Sequence, residues 1–380
     1  MARIDGLIAE LCPNGVEYRK LREIATYARD RIATKDLAFG SYVGVNELLS
    51  GFKGRTSEVR QPSEDKCIAF EEGDVLLGNI RPYLKKMWLA DGPGGTNGDV
   101  LVIRVKDREV VDPAYLWQYL AGSRFVEYNN QHARGAKMPR GDKKAILAAE
   151  IPVPPMEVQR EVVRILDSFA ELEAELEAEL EARKKQYAYY RDKLLSFERE
   201  RVPWLKLGSI ATIKTGAKPN QVFEVGSFDY INAGTTRSGF ADSFNTDGDT
   251  VTTPSRGQGG IGFVGYQSGP FWCGPLCYRI RPKREDVMCK YLYYYLSSHS
   301  SMIIGCMKEG GTPAVNRSDL LELPIAIPSL SEQRRIVFIL DKFSDLTTSL
   351  VDGLPAEIEA RRKQYEYYRD RLLDFPRRAA

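Results

Sequence analysis

His132 and His299 are the only imidazoles in 380 residues, and neither sits near a second plausible metal ligand in sequence. Histidine base chemistry and metal catalysis are therefore poorly supplied. Six cysteines (Cys12, Cys67, Cys273, Cys277, Cys289, Cys306) are scattered along the chain. The one close pair, Cys273 and Cys277, has three intervening residues rather than the usual two of zinc sites, so these read as reduced, mostly buried thiols. Gly257, Gly259 and Gly262 satisfy G-x-G-x-x-G, but a dinucleotide site needs a helix after that turn, and strand-like Phe263-Val264-Gly265-Tyr266 follows instead. A tight turn, or a glycine-rich loop beside a binding groove, fits better. The sequence contains no G-x-x-x-x-G-K-[ST] loop, no Asn-Pro-Pro-Tyr element for amino-group methylation, no G-x-S-x-G elbow and no H-E-x-x-H. Pro62-Ser63-Glu64-Asp65-Lys66 has the residue types of a nuclease cluster without the spacing that adjacent strands require, and reads as a solvated loop. With no catalytic set, a binding role is the expectation.

A hydrophobic content of 43% supports sizeable cores, and the length allows two or three domains. No run of about 18 apolar residues occurs, and the opening MARIDGLIAELCPNG lacks the layout of a secretory signal, so a cytoplasmic protein with no membrane partner is expected. The net charge of +2 is low for a nucleic-acid binder. Its distribution is uneven: residues 151–200 hold twelve acidic and eight basic groups.

An internal repeat organises everything else. IPVPPMEVQREVVRILDSF at 151–169 matches IAIPSLSEQRRIVFILDKF at 325–343: Pro154, Gln159, Arg160, Ile165, Leu166, Asp167 and Phe169, among others, recur as Pro328, Gln333, Arg334, Ile339, Leu340, Asp341 and Phe343. RKKQYAYYRDKLLSF at 183–197 matches RRKQYEYYRDRLLDF at 361–375, now four residues further offset. KLREIAT at 20–26 parallels KLGSIAT at 206–212, and YLWQYL at 115–120 parallels YLYYYL at 291–296. Between these anchors, 27–114 and 213–290 share almost nothing. One scaffold holds two different interiors.

The scaffold segments carry helix signals. Residues 156–202 contain neither Gly nor Pro, and Val162, Ile165, Leu166, Phe169, Leu172, Leu176 and Leu180 recur at three- and four-residue steps. In the second copy Ser331 is the expected N-cap, and Asp352-Gly353-Leu354-Pro355 predicts a break. Two long helices of matching pattern should pair as an antiparallel coil. GDVLLGNIRPYL, GDVLVIRV, VGYQSGPFWCG and PLCYRIRP are short Val-, Ile- and aromatic-rich runs bounded by turn residues, and predict twisted sheets. Tyr293, Tyr294 and Tyr295 read as core or helix-packing residues before base-stacking platforms.

The blocks I-P-V-P-P-x-x-x-Q-R and R-K-K-Q-Y-x-Y-Y-R-D-K-L-L, each present twice around dissimilar segments, resemble the specificity subunits of type I restriction-modification systems. The resemblance covers essentially the whole chain. It implies an α+β fold, with two mixed target-recognition domains separated by two long antiparallel helices and an internal pseudo-two-fold repeat. The expected organisation is a first recognition domain at 1–150 with a lead segment at 1–19, a first spacer helix at 151–200, a second recognition domain at 201–328, and a second spacer helix at 329–380 broken near 352–355. The resemblance further implies that each domain reads half of a bipartite, asymmetric double-stranded DNA target. Two methyltransferase subunits would bind the helices, and restriction subunits would complete the assembly. Chemistry would reside on those partners, with S-adenosylmethionine, ATP and Mg on them and no cofactor on this chain. The competing expectation is a duplicated coiled-coil adaptor without DNA specificity. Within the first helix, AELEAELEAELEA at 170–182 is a four-residue tandem repeat, and in this family the count of such repeats is associated with spacer length. Like charges at i, i+4 repel there, which favours a basic partner over DNA.

Sequence reading of DNA needs Arg, Lys, Asn and Gln at base edges, with further cations on phosphates. In the first domain the candidates are Arg81, Lys85, Lys86, Arg134, Lys137, Arg140, Lys143 and Lys144. In the second they are Lys214, Lys218, Arg237, Arg256, Gln258, Lys308, Asn316 and Arg317. For each, solvated surface charge is the ordinary alternative. On the helices, Gln186, Tyr187, Tyr190 and Arg191, repeated as Gln364, Tyr365, Tyr368 and Arg369, are candidates for the helical junction and methyltransferase docking.

Overall fold

A computed structural model describes residues 2–62, 64–257, 259–308, 311–348 and 353–378. Contacts divide the chain into two units, one of Met1–Leu176 with Ile358–Ala380 and one of Glu177–Glu357. The second helical segment is therefore shared out: Leu330–Thr348 lies in the second unit, and most of Leu354–Leu372 belongs to the first. The uninterrupted helix Met156–Leu195 contributes its residues up to Leu176 to the first unit and the rest to the second.

In the first unit a four-stranded antiparallel sheet runs in the order Ala25–Tyr27, Val100–Val105, Val75–Gly78, Met87–Leu89. Leu76 lies opposite Val102, and both are buried, as befits a strand covered on two faces. A three-stranded sheet (Arg31–Ala33, Lys66–Phe70, Gly94–Thr96) and the pair Tyr18–Lys20 with Glu150–Pro152 complete it. The helix Pro113–Ala121 starts with Pro at its first position and is capped by Asp112, whose side chain accepts from the Ala114 and Tyr115 N–H groups. One core joins Val75, Ile103, Tyr115 and Leu116 of this domain to Val158, Val162, Leu166 and Leu372 of the helices and to Phe375 just beyond them.

The second unit repeats the pattern. Its four-stranded sheet runs Ala211–Thr215, Cys277–Pro282, Thr250–Pro254, Gly265–Gln267, with Val251 opposite Ile280. The pair Trp204–Lys206 with Pro324–Ala326 corresponds to the edge pair of the first unit, whereas the three-stranded sheet differs: it runs Gly239–Ala241, Phe228–Ile231, Trp272–Cys273, with the earlier strand Phe228–Ile231 central and parallel to Trp272–Cys273. Its core joins Tyr291, Leu292, Tyr295 and Val251 to Leu195, Ile336 and Leu340.

Identical residues of the repeat do identical work. Gln159 is fully buried; its amide donates to the Val110 and Pro154 carbonyls at 2.9 and 2.7 Å and accepts from the Asp112 N–H at 2.9 Å. Gln333 is likewise buried, donates to Asp286 and Pro328 carbonyls at 2.8 and 2.9 Å, and accepts from the Met288 N–H at 2.9 Å. Each glutamine fastens a long helix to the loop leaving the sheet. Tyr115 and Tyr291 donate to the Pro152 and Ala326 carbonyls at 3.0 and 2.7 Å, tying the following helix to the edge pair. Tyr294 and Tyr295 are buried, as core residues. Five of the six cysteines are buried, and none of the six is in a disulfide.

Candidate nucleic-acid interface

In both units one framework brings two distant loops together. In the first unit the loop after Val75–Gly78 bridges the loop before the helix Lys143–Ala148: Ile80 pairs with Arg140, the Arg81 N–H donates to the Pro139 carbonyl at 2.7 Å, and Arg134 and Arg140 exchange two backbone hydrogen bonds of 2.8 Å. This collects Arg81, Lys85, Arg134, Lys137, Arg140, Lys143 and Lys144 in one loop cluster, all exposed. Arg134 is paired with Asp142 at 2.9 Å and Arg140 with Asp99 at 3.0 Å. Arg81, Lys85, Lys137 and Lys143 have no ion-pair partner among the described residues. Asp142 caps the short helix, and the Ala145 and Lys144 N–H groups hold its carboxyl below the usual carboxylate range. Lys86 departs from the group: its Nζ donates to the Val45 carbonyl at 2.8 Å, so it braces the loop.

Arg81 and Lys85 have φ of 52° and 53°, the left-handed region, and flank the single turn Pro82–Leu84. For residues with a Cβ this costs on the order of 1–2 kcal/mol each and persists only where neighbours dictate the backbone. Here they do. Leu84 and Lys85 N–H groups donate to Arg81 and Pro82 carbonyls at 2.9 Å, and Gly51 and Phe52 N–H groups close on Leu84 and Lys85 carbonyls at 3.1 and 2.8 Å.

The second unit has the same junction with different residues. Arg256 pairs with Ala314, the Gly257 N–H donates to the Pro313 carbonyl at 3.1 Å, and Met307–Lys308 pairs with Ala314–Val315 ahead of the helix Arg317–Leu321. Arg256, Lys308, Asn316 and Arg317 are thereby gathered and exposed, with Lys308 3.6 Å from Asp319. Asn316 and Arg317 occupy the positions of Asp142 and Lys143. Gln258 lies outside the described residues. Arg237 belongs to a neighbouring loop, because Gly257 and Gly260 pack against Ala233; it pairs with Asp229 at 3.3 Å and stacks over Phe240 at 4.5 Å. Lys214 is not brought to this cluster: it sits on Ala211–Thr215 beside a cavity of about 450 Å³ lined by Asn245, Asp247, Arg279 and Arg281, and Lys218 follows that strand. The 257–262 turn carries positive φ at Gly257, Gly259 and Gly262 and leads into a strand, so it is a turn and not a dinucleotide cradle.

The helical candidates largely face inward. Tyr368 stacks on Phe169 at 5.4 Å, and Arg362 pairs with Glu173, so Leu354–Leu372 runs antiparallel to the first half of Met156–Leu195. Tyr190 stacks on Phe343 at 5.7 Å, with Tyr187 at 6.4 Å from the same ring. Tyr365 donates to Gln118 Oε1 at 2.8 Å, and burial raises its pKa, as it does that of Tyr187. Gln186 and Gln364 each accept from the arginine three residues before them, at 3.0 and 3.1 Å. Arg369 and its repeat partner Arg191 each lie over the tyrosine four residues before them and beside the following aspartate, but Arg369 is buried whereas Arg191 is more open. Among the residues that face out at matched positions are Tyr189 and Tyr367, each 60% exposed, and Arg160 and Arg334, which have no ion pair among the described residues. Neither pair is among the docking candidates drawn from the sequence; the outward aim of the tyrosines depends on which tyrosine of Tyr-x-Tyr-Tyr meets the opposing helix.

The type I restriction modification DNA specificity domain matches this chain twice, over residues 13–182 and 202–360. The chain belongs to that family. The specificity subunit of the type I restriction enzyme EcoR124I/EcoR124II of Escherichia coli is 35% identical over 98% of this chain and 96% of its own length. The fold is also that of solved structures: the S subunit of a type I restriction-modification system from M. genitalium matches with a TM-score of 0.60 and 19% identity over 94% of this chain and 96% of that one. A second, from a study of complex assembly and conformational transition of the type I R-M system, gives 0.64 and 20% over 95% and 98%. As a specificity subunit this chain is a non-catalytic, DNA sequence-recognition component, and the DNA-independent adaptor is not supported. No described helix is long and apolar enough to cross a membrane.

Proposed function

We propose that each unit reads one half of a bipartite, asymmetric double-stranded DNA target through its loop junction, and that the helices set the spacer and dock two methyltransferase subunits. The carrying observation is that one framework, built twice, gathers cations at corresponding positions, Lys143 and Arg317 among them, that have no ion pair among the described residues, while the loops around them differ. Shared framework suits a shared task; different side chains suit different base sequences. The duplicated outward residues Tyr189, Tyr367, Arg160 and Arg334 favour two copies of one partner over two different ones. Restriction subunits would join the larger complex, with S-adenosylmethionine, ATP and Mg bound on partners, and the complex would act in the cytoplasm. The described residues contain no group of three or more His, Cys, Asp or Glu suited to hold a metal. The test is an electrophoretic shift with the chain co-expressed with its methyltransferase subunit. A sequence-specific complex that weakens steeply with salt is expected; a complex indifferent to sequence and salt contradicts the reading.

A further inference from the structure

Two large apolar side chains stand exposed in the basic loop cluster of the first unit, Tyr83 at 55% and Met138 at 52%. They lie on the two loops that the Arg81 N–H to Pro139 carbonyl bond and the Ile80–Arg140 bridge join. Tyr83 sits at the centre of the Pro82–Leu84 turn, its hydroxyl without a partner among the described residues, between the left-handed Arg81 and Lys85. Pro82 fixes φ, and the five backbone bonds described above clamp both sides of the turn. The aromatic ring is thus held out on a rigid mount, and it packs into no core cluster. A flat apolar face flanked by unpaired cations matches one class of ligand, a base step between two phosphates.

We propose that Tyr83, seconded by Met138, is an apolar wedge that enters a base step in the DNA half-site read by the first unit, with Arg81 and Lys85 on the flanking phosphates. Wedges of this kind partly unstack a step and bend the duplex, so they read deformability as well as base edges. The corresponding turn of the second unit follows Arg256 with glycines, and its described positive-φ residues there, Gly257, Gly259 and Gly262, have no side chain to insert. This inference rests on the DNA-reading function proposed above.

The test uses the full chain in complex with its methyltransferase subunits and duplexes carrying 2-aminopurine at successive positions of each half-site, leaving the methylated adenine itself unsubstituted. Wild type should brighten the probe at one step of the first half-site. Tyr83→Phe should retain this. Tyr83→Ala should abolish it and weaken binding by about ten-fold or more, the scale of one aromatic–base stack, with the salt dependence unchanged. Tyr83→Ala complexes that bind and brighten like wild type overturn the wedge while leaving half-site reading intact. A wild-type complex without sequence preference overturns the underlying reading instead. Because Tyr83 is exposed, its variants should melt with wild type, which separates loss of contact from loss of fold.

Discussion

Replacing Gln333 by Leu removes a fully buried amide of similar size and leaves three backbone groups, the Asp286 and Pro328 carbonyls and the Met288 N–H, without their partners. A buried polar group left unpaired costs about 1–3 kcal/mol. Taking the low end for each gives about 3 kcal/mol, and it falls on the joint between the helix Leu330–Thr348 and the sheet. For a unit of this size, 1 kcal/mol moves the midpoint by about 2–4 °C, so a drop of about 6–12 °C is expected. Differential scanning calorimetry of the intact chain measures it. Gln159→Leu should cost a similar amount in the first unit, because its three bonds are the same. Arg334→Ala, one residue along and exposed, should change the midpoint by no more than a degree or two. If Gln333→Leu and Gln159→Leu melt like Arg334→Ala, the repeat's glutamines are not the joints described, and their recurrence has another cause.

Lys143→Ala and Arg317→Ala occupy matched positions, and each should weaken DNA binding and lower the slope of log affinity against log salt by about 0.9; an unchanged slope removes these residues from the phosphate contacts. Deleting one Glu-Leu-Glu-Ala unit from 170–182 shortens the helix by about 6 Å and turns it by about 40° net, close to one base pair's rotation, so the spacer should shift by about one base pair. Mapping methylated adenines in cells carrying that deletion reads the spacer, and an unchanged value refutes the idea.

Much of this was legible in the sequence because repetition reports a shared backbone. The matched positions of 151–169 and 325–343 include the fastening glutamines and the stacked phenylalanines, and hydrophobic spacing placed the long helix. What stayed hidden depends on tertiary neighbours. The left-handed backbone at Arg81 and Lys85 has no Gly or Asn to announce it; hydrogen bonds from 51 and 52 impose it. Lys86 looked like its neighbours until the Val45 carbonyl claimed it, and Lys214 was grouped with loop cations although it lies on a strand. Tyr187, Tyr189 and Tyr190 are chemically alike, and only the position of Phe343 decides which of them turn inward. The sharing of Met156–Leu195 between two units, and of the second helical segment likewise, follows from contacts that span more than 170 residues.

The most direct measurement is a methylome of cells in which residues 213–290 have been exchanged for the corresponding segment of another specificity subunit, with the scaffold left as it is. One half of the recognised target should change while the other half and the spacer stay the same. Motifs in which both halves change together, or neither does, would contradict two independent readers on a duplicated scaffold.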